Sequence, residues 1–254
     1  MQINPGLSTK NANTWCPSCT NFSLLASVKI AISSLIKKGI KKKDFAMVTG
    51  IGCHGKIFDY LNISGVYGLH GRTIPTAHGI TLGNPNLKVL VFAGDGDSYA
   101  EGMEHFIHAF RNNPNITLIV HDNRDFSLTG GQPSPTTQKG YKSKVTPKGE
   151  EKIPFNPIKI ALACGGGFIA RCNAKDIKHT AKIIEKAINY NGFSFIEVIQ
   201  NCQIFNTELN DIDSKMYKVN NSNIKKAYSL ADEWDYNSKN KRIPIGIIYS
   251  KKII

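Results

Sequence analysis

Two short polar motifs follow predicted strands at a spacing that suits a divalent cation. Gly94-Asp95-Gly96 ends one buried apolar run, and Asn123 stands after the next run, with 26 residues between the two motifs. The Asp95 carboxylate and the Asn123 amide oxygen are hard ligands, and the backbone carbonyl of Asp125 can supply a third oxygen. The two glycines let the main chain approach an anion closely. A lone glycine–aspartate–glycine step is often only a turn, but this spacing predicts a metal and phosphate site.

Four of the six cysteines form a second set of possible ligands. They are Cys16 and Cys19 on one tight turn, Cys53 in a glycine-rich turn, and Cys202 after the last predicted strand. Four thiolates suit either tetrahedral zinc or an iron–sulfur cluster, whereas isolated buried thiols are ordinary core residues. Cys53 favours the cluster, because its turn should border the metal and phosphate site, where a redox centre could exchange electrons with a cofactor. Cys164 and Cys172 show no such spacing and are predicted to be ordinary thiols.

Strands that alternate with helices must position these residues. The apolar runs predict strands at 45–49, 88–93, 116–120, 168–170 and 193–199. Helical periodicity and capping residues predict helices at 20–38, 101–111, 156–163 and 176–189. This alternation predicts an α/β fold with a mostly parallel sheet flanked by helices.

Ligands of such sheets bind beyond the carboxyl ends of the strands. The glycine-rich turns at 50–55, 94–97 and 123–131 all follow predicted strands and should therefore converge on one site. The stretch 129–149 is rich in Gly, Pro, Ser, Thr and Lys, which predicts an ordered loop or lid.

The overall composition suits one large domain. The chain has 254 residues, of which 41% are hydrophobic, and this is ample for a core. Residues 1–205 are predicted to form the ligand-binding domain, and the weakly patterned residues 206–254 a C-terminal extension that contacts a partner. No apolar run reaches about 18 residues, which argues against a membrane span. A polar N-terminus without an apolar signal core predicts a cytoplasmic protein.

The formal net charge is +13. It reflects either a lysine-rich composition or a basic face for an acidic protein partner. The basic residues are spread along the chain without a nucleic-acid-binding motif, so nucleic acid is not the expected partner.

Taken in order, these motifs resemble the β subunits of 2-oxoacid:ferredoxin oxidoreductases. The resemblance covers about three quarters of the chain, roughly residues 14–206. The matching segments are Trp15-Cys16-Pro17-Ser18-Cys19, Gly50-Ile51-Gly52-Cys53, Leu69-His70-Gly71-Arg72 with Pro75, Gly94-Asp95-Gly96-Asp97, residues 105–111, Asn123, Leu128-Thr129-Gly130-Gly131-Gln132 with Ser134-Pro135-Thr136-Thr137, Asn201-Cys202 and Phe205-Asn206.

The resemblance implies a thiamine-diphosphate-binding fold and a set of cofactor contacts. A [4Fe–4S] cluster would be held by Cys16, Cys19, Cys53 and Cys202. Mg²⁺ would be held by Asp95, Asn123 and the carbonyl of Asp125. The thiamine diphosphate would be lined by Ile51, Gly52, Cys53, His54, His70, Gly96, Asp97, Ser127 and Leu128.

Three side chains are candidates for contact with the substrate or the reacting part of the cofactor. His70 titrates near neutrality and could move a proton, although a histidine beside a glycine turn is often only a hydrogen-bonding support. Lys56 and Arg72 could bind a substrate carboxylate by charge-assisted hydrogen bonds. The alternative for these two cations is ordinary surface or interface charge.

The implied activity is the thiamine-dependent oxidative decarboxylation of a 2-oxoacid to acyl-CoA and CO₂. Electrons would pass through the [4Fe–4S] cluster to ferredoxin, and coenzyme A would accept the acyl group. The segment 128–137 is closer to members that use 2-oxoglutarate or a broad range of acids than to pyruvate-only members. The glutamate that faces the aminopyrimidine ring would come from a larger α subunit, so the chain is expected to be active only with that partner.

The sequence departs from the usual family pattern at three places. His54 follows Cys53, where a small hydroxyl residue is common. Arg124-Asp125-Phe126-Ser127 replaces an aromatic–glycine step, and Ser18 and Thr20 flank Cys19 instead of glycine. Two alternatives stay open: a non-redox thiamine decarboxylase or carboligase subunit, which has no need of the cysteines, and a structural zinc-binding subunit, which has no need of the phosphate motif.

Overall fold

The computed structural model describes residues 4–238 and 240–251. Within them, one eight-stranded sheet runs in the order β2-β1-β3-β4-β6-β5-β8-β7. The strands are β1 Phe45–Thr49, β2 Ser64–Tyr67, β3 Lys88–Gly94, β4 Ile116–Asp122, β5 Phe168–Asn173, β6 Ser194–Ile199, β7 Met216–Asn220 and β8 Ile243–Ser250. The α-helices are α1 Asn21–Lys37, α2 Ile57–Tyr60, α3 Thr73–Gly83, α4 Met103–Asn112, α5 Pro157–Ala163, α6 Ile177–Ile188 and α7 Ile224–Asp232.

The strand directions confirm the predicted fold class. Strands β2, β1, β3, β4, β6 and β5 all pair in parallel, and β8 runs antiparallel to β5. The central strands are buried along their whole length, as β4 is from Ile116 to Asp122, because helices cover both faces of the sheet. The carboxyl ends of β1, β3 and β4 therefore meet at one edge.

Each face of the sheet is covered by its own group of helices. On one face, Leu24 and Val28 of α1 belong to the same apolar cluster as Ile184 of α6. On the other face, Phe106 of α4 and Ala161 of α5 pack with strand residues and with α3 and α7. Burial of these side chains is the main stabilising term of the fold. No helix in the described ranges is long and apolar enough to cross a membrane.

The predicted elements occur in the structure, with their bounds shifted by at most three residues and with several elements not predicted. The predicted helix at 101–111 begins only at Met103, because a π-helical turn occupies Asp97–Glu101. No pattern in the sequence predicted β2, α2 or α3. The loop predicted at 129–149 contains no strand or α-helix among its described residues. Among residues 207–251, strands β7 and β8 extend the same sheet, and α7 lies between them in sequence. The contact of this part with a partner stays a prediction. Residues 239 and 252–254 lie outside the described ranges.

A buried ion pair ties the C-terminal part to the sheet. Arg171 of β5 and Glu197 of β6 are both 0% exposed, with 2.7 Å between the Arg171 Nε and Glu197 Oε2 atoms. The Tyr236 hydroxyl accepts from Arg171 Nη2 at 2.7 Å and donates to Glu197. Arg171 also donates to the carbonyl of Pro244 in β8 at 3.3 Å. Every strong polar group of this network thus has a partner.

Replacing Arg171 with methionine is expected to lower the free energy of unfolding by about 3–5 kcal/mol, because Glu197 would keep a buried charge without its partner. Denaturant titration followed by circular dichroism measures this change. The control is Lys159→Met, which breaks an exposed pair with Asp232 and should cost about 1 kcal/mol or less. Equal stability of the two variants would contradict the prediction.

Candidate functional site

A cavity opens at the carboxyl ends of β1, β3 and β4. The three glycine-rich turns border it together, as their positions after strands predicted. All the side chains and glycines predicted to contact the cofactor lie in its wall, namely Ile51, Gly52, Cys53, His54, His70, Gly96, Asp97, Ser127 and Leu128. Asp95, Asn123 and Asp125 border the same space. Their placement agrees with one ligand site, and their individual roles stay predictions.

Glycines after β1 allow the floor of the cavity to form. A side-chain carbon at Gly50 would lie 1.8 Å from Asp97 Oδ2, so a larger residue there would displace that carboxylate. Gly52 has φ +147°, a backbone conformation that L side chains rarely adopt, and its Cα faces the His54 ring. The turn therefore depends on both glycines to bring His54 and Asp97 together.

Oxygen donors cluster at one end of the cavity. Asp95 is 2% exposed and Asp125 is 3% exposed. The side-chain amide of Asn123 donates to Ser127 Oγ at 2.6 Å, and the Asn123 Oδ1 atom accepts a 3.3 Å bond from the Asp125 N–H. Thr136 donates to Asp95 at 3.1 Å and lies 2.8 Å from Asp122. These bonds fix the orientation of the predicted metal ligands.

The electrostatics of this cluster suit a cation. Burial, with the nearby Asp125 charge, raises the pKa of Asp95 to about 7 against the hydrogen bonds from Ser134 and Thr136. Burial likewise raises the pKa of Asp125 to about 6. Oδ2 of Asp122 and Oδ2 of Asp125 are buried without a hydrogen-bond partner. Buried carboxylates with spare oxygens fit a hard divalent ion such as Mg²⁺.

Two histidines hold the carboxylate of Asp97. His54 Nε2 and His70 Nδ1 each lie 3.3 Å from it, and the Gly71 N–H donates to it. Burial opposes its ionisation, but the histidines and the Gly71 amide outweigh burial and lower the pKa of Asp97 to about 2. The adjacent Asp97 carboxylate raises the pKa of His70 in turn, with Glu101 adding to the effect. His70 is thus a half-buried group that can hold a proton at the cavity wall.

The cysteine set is brought together from three parts of the chain. The Cys19 N–H donates to the Cys16 carbonyl at 3.1 Å and closes the first turn. Trp15 Nε1 donates to the Cys53 carbonyl at 2.7 Å, which joins the first and second turns. Cys202 accepts from the Phe205 N–H at 3.4 Å. All four thiols are free, so no disulfide competes for them.

The thiols share one electrostatic environment. Burial raises the pKa of Cys19, and the neighbouring Cys16 and Cys202 add to the effect. Burial also raises the pKa of Cys53 to about 11, helped by Cys19 and Cys202. Neighbouring thiolates repel one another, so the four thiols need a nearby positive charge before all of them can ionise. Such a group is what a metal centre supplies.

The donor chemistry of the cysteine set suits an iron–sulfur cluster or a zinc ion. In the described ranges, no group of three or more His, Cys, Asp or Glu side chains is arranged to hold a metal ion. In a [4Fe–4S] cluster each thiolate binds a different iron, so four sulfurs need not converge on one point. The set therefore fits the predicted cluster chemically.

Two of the predicted substrate contacts lie outside the cavity wall. Lys56 donates to the Thr14 carbonyl at 3.1 Å and lies beside Cys53. Arg72 is exposed and pairs with His105 on α4. The geometry gives no support to a contact between either side chain and a ligand in this cavity. Cys164 and Cys172 also lie outside the cavity wall.

Sequence reasoning missed several residues of the site. His121, Phe126, Thr129 and Gln200 also line the cavity. Asp122 lies beside it as a buried carboxylate whose pKa is raised well above its usual value by burial and by Asp95. In the sequence, Asp122 follows the apolar run of β4 after His121. A polar residue at the end of a strand is usually interpreted as the start of a loop, so Asp122 was not predicted as a site residue.

The chain matches the family model of the C-terminal thiamine-pyrophosphate-binding domain of thiamine pyrophosphate enzymes over residues 50–198. It is 38% identical to the β subunit of the 2-oxoacid:ferredoxin oxidoreductase of Saccharolobus solfataricus, over 95% of this chain and 83% of that protein. It is 42% identical to the 2-oxoglutarate synthase subunit KorB of Archaeoglobus fulgidus, over 74% of this chain and 69% of that protein.

A solved structure resembles the whole described fold. It is the 2-oxoglutarate:ferredoxin oxidoreductase from Magnetococcus marinus with 2-oxoglutarate, coenzyme A and succinyl-CoA bound. The similarity has a TM-score of 0.90 at 29% sequence identity, and it covers 98% of this chain and 84% of that chain. The fold and the order of motifs therefore agree with the sequence matches.

Proposed function

The chain belongs to the β-subunit family of the 2-oxoacid:ferredoxin oxidoreductases, and we propose that it binds thiamine diphosphate, Mg²⁺ and one [4Fe–4S] cluster in the oxidative decarboxylation of a 2-oxoacid. One observation carries the proposal: the oxygen-donor cluster and the cysteine set adjoin, because Cys53 lines the same cavity as the oxygen donors and Cys202 lies beside Ser127. Ser127 Oγ is hydrogen-bonded to Asp125 and lies 3.4 Å from the Cys202 sulfur. A cofactor that releases electrons would thus lie beside the group that accepts them.

Thiamine diphosphate, when bound, supplies the carbanion chemistry by which the bond to the carboxylate of a 2-oxoacid is broken. The chain's own residues hold and orient it. Asp95, Asn123 and the Asp125 carbonyl are the proposed ligands of Mg²⁺ at the diphosphate. His70, with its proton stabilised by Asp97, faces the cavity and can donate a hydrogen bond there.

The proposed partner is a larger α subunit that contributes the glutamate facing the aminopyrimidine ring. The relatives at 38–42% identity are themselves named as subunits, and no glutamate is among the residues that line the described cavity. The chain alone is therefore proposed to be inactive. Ferredoxin is the proposed electron acceptor, and a basic chain with a net charge of +13 suits an acidic carrier.

The proposed substrates are a 2-oxoacid of the 2-oxoglutarate or pyruvate class and coenzyme A. Two observations favour the 2-oxoglutarate end of this range. Several relatives are named 2-oxoglutarate synthase subunits, and the similar solved structure contains 2-oxoglutarate, coenzyme A and succinyl-CoA. The products would be the acyl-CoA and CO₂.

Metal analysis tests the proposal against its alternatives. Protein purified without oxygen is expected to contain about four irons and as much sulfide per chain, with an EPR signal after dithionite reduction. Zinc in place of iron would favour the structural alternative. Full thiamine diphosphate binding without iron would favour the non-redox thiamine enzyme. Both of these outcomes would contradict the electron-transfer function.

Turnover measurements test the partner. The isolated chain, with its cluster and with added thiamine diphosphate and Mg²⁺, is expected to reduce no ferredoxin with a 2-oxoacid and coenzyme A. Co-expression with the α subunit is expected to restore turnover. Activity of the isolated chain would disprove the requirement for the partner's glutamate.

A further inference from the structure

The side chain of Asp125 lies between the oxygen-donor cluster and the cysteine set. Its backbone carbonyl is a proposed Mg²⁺ ligand, but its carboxylate is turned toward the cysteines. Ser127 donates a hydrogen bond to Asp125 Oδ1 and lies 3.4 Å from Cys202 Sγ. The Asp125 charge also acts on Cys53. The carboxylate therefore faces two of the proposed cluster ligands.

Few neighbours neutralise this carboxylate. It is 3% exposed, and its Oδ2 atom has no hydrogen-bond partner. The adjacent cation, Arg124, is directed elsewhere and donates to the carbonyls of Thr136 and Tyr236. Lys56 is the cation beside Cys53, and its ammonium group donates to the Thr14 carbonyl. Neither of these side-chain cations pairs with the buried negative charge, which therefore acts on the groups beside it.

We propose that the Asp125 carboxylate lowers the reduction potential of the [4Fe–4S] cluster held by the four cysteines. This inference rests on the proposed function, since it requires the cluster. Reduction adds one electron to the cluster, and a nearby negative charge stabilises the oxidised form relative to the reduced form. Charge and hydrogen bonds around the sulfurs are known determinants of such potentials. A lower potential makes the reduced cluster a stronger donor to an external acceptor.

Two substitutions test the charge of the Asp125 side chain separately from the proposed Mg²⁺ contact of its backbone carbonyl. Asp125→Asn and Asp125→Leu both remove the charge but keep the backbone carbonyl that is the proposed Mg²⁺ ligand. The leucine variant adds no new hydrogen-bond donor, so an effect common to both variants is due to charge. Glu151→Gln is the matched control, because it makes the same change in net charge at an exposed residue outside the cavity wall.

The experiment is an anaerobic redox titration of the αβ complex, with the reduced cluster measured by EPR. Both Asp125 variants are expected to have a more positive midpoint potential, by roughly a tenfold change in the oxidised-to-reduced ratio, or 59 mV for a one-electron couple. Glu151→Gln is expected to match the unsubstituted protein. Iron content and the shape of the EPR signal should be the same in all four proteins.

The outcomes separate this inference from the proposed function. Unchanged potentials in both Asp125 variants, at full iron content, would overturn the inference and leave the proposed function intact. Loss of iron from both variants would also overturn it, because Asp125 would then be needed for assembly of the cluster. Absence of iron from the unsubstituted protein would instead remove the proposed function itself.

Discussion

Thiamine diphosphate binding is expected to weaken about a hundredfold or more when Asp95 is replaced with asparagine. Loss of an outer-shell partner of a metal ligand already costs about 10–100-fold in affinity, and Asp95 is proposed as a direct ligand. The substitution keeps the size of the side chain but removes the charge that attracts Mg²⁺. Calorimetric titration of the αβ complex with thiamine diphosphate and Mg²⁺ measures the change.

The stability of the same variant distinguishes a binding defect from a folding defect. Asp95, Asp122 and Asp125 crowd negative charge into a buried space, and burial raises the pKa of all three. Neutralising one of them relieves repulsion in the protein without bound metal. The Asp95→Asn variant should therefore unfold at the same or a higher temperature when Mg²⁺ and cofactor are absent. Asp232→Asn, at an exposed residue of α7, is the control and should bind normally.

Normal cofactor affinity in Asp95→Asn would contradict the proposed metal site. A variant that both fails to bind and melts at a much lower temperature would indicate that Asp95 serves the fold. Only loss of binding in a stable protein agrees with the ligand role.

Replacing Cys53 with serine is expected to remove the cluster and to reduce turnover with ferredoxin to background. Serine preserves the shape of the turn, and the Cys53 carbonyl keeps its hydrogen bond from Trp15. The hydroxyl, unlike the thiol, is a poor ligand for the iron of a cluster. Iron and sulfide analysis with EPR measures the loss. The matched control is Cys164→Ser, at a partly buried thiol outside the cavity, which should retain iron and activity.

The Cys53→Ser variant also tests the cysteine set independently of the oxygen-donor cluster. Thiamine diphosphate should still bind to it, because Asp95 and Asn123 are unchanged. Electron transfer would then be lost with the cofactor still in place. Retention of iron, sulfide and turnover in Cys53→Ser would show that the cysteine set does not hold a cluster.

The sequence predicted the sheet best where its strands are buried on both faces. The apolar runs of β1, β3 and β4 admit few other interpretations, and the glycine turns after them indicate where the chain leaves the sheet. Strand β2 gave no such signal, because Ser64–Tyr67 is short and exposed at the sheet edge. Strand β8 contains Pro244 and Gly246, residues that usually mark turns, although it is buried beside β5. Its pairing depends on contacts distant in sequence, which no local pattern records.

The position of a site residue could be predicted where its side chain suits only a few kinds of ligand and where it follows the end of a strand. Asp95, Asn123 and Cys53 meet both conditions, and all three border the cavity. Lys56 meets neither, since a long flexible side chain beside a turn can point in several directions. The structure directs its ammonium group to the Thr14 carbonyl. The direction of such a side chain depends on packing and not on spacing.

The position of the four cysteines along the chain also has a consequence for biosynthesis. The set begins at Cys16 and ends at Cys202, which follows β6, the neighbour of β4 near the centre of the sheet. During translation the first three thiols leave the ribosome long before the fourth. On the proposed function, a complete ligand set exists only after most of the sheet has been synthesised. Cluster insertion would therefore come late in synthesis, and it would link the first cysteine turn to the segment after β6 and restrict the loops between them.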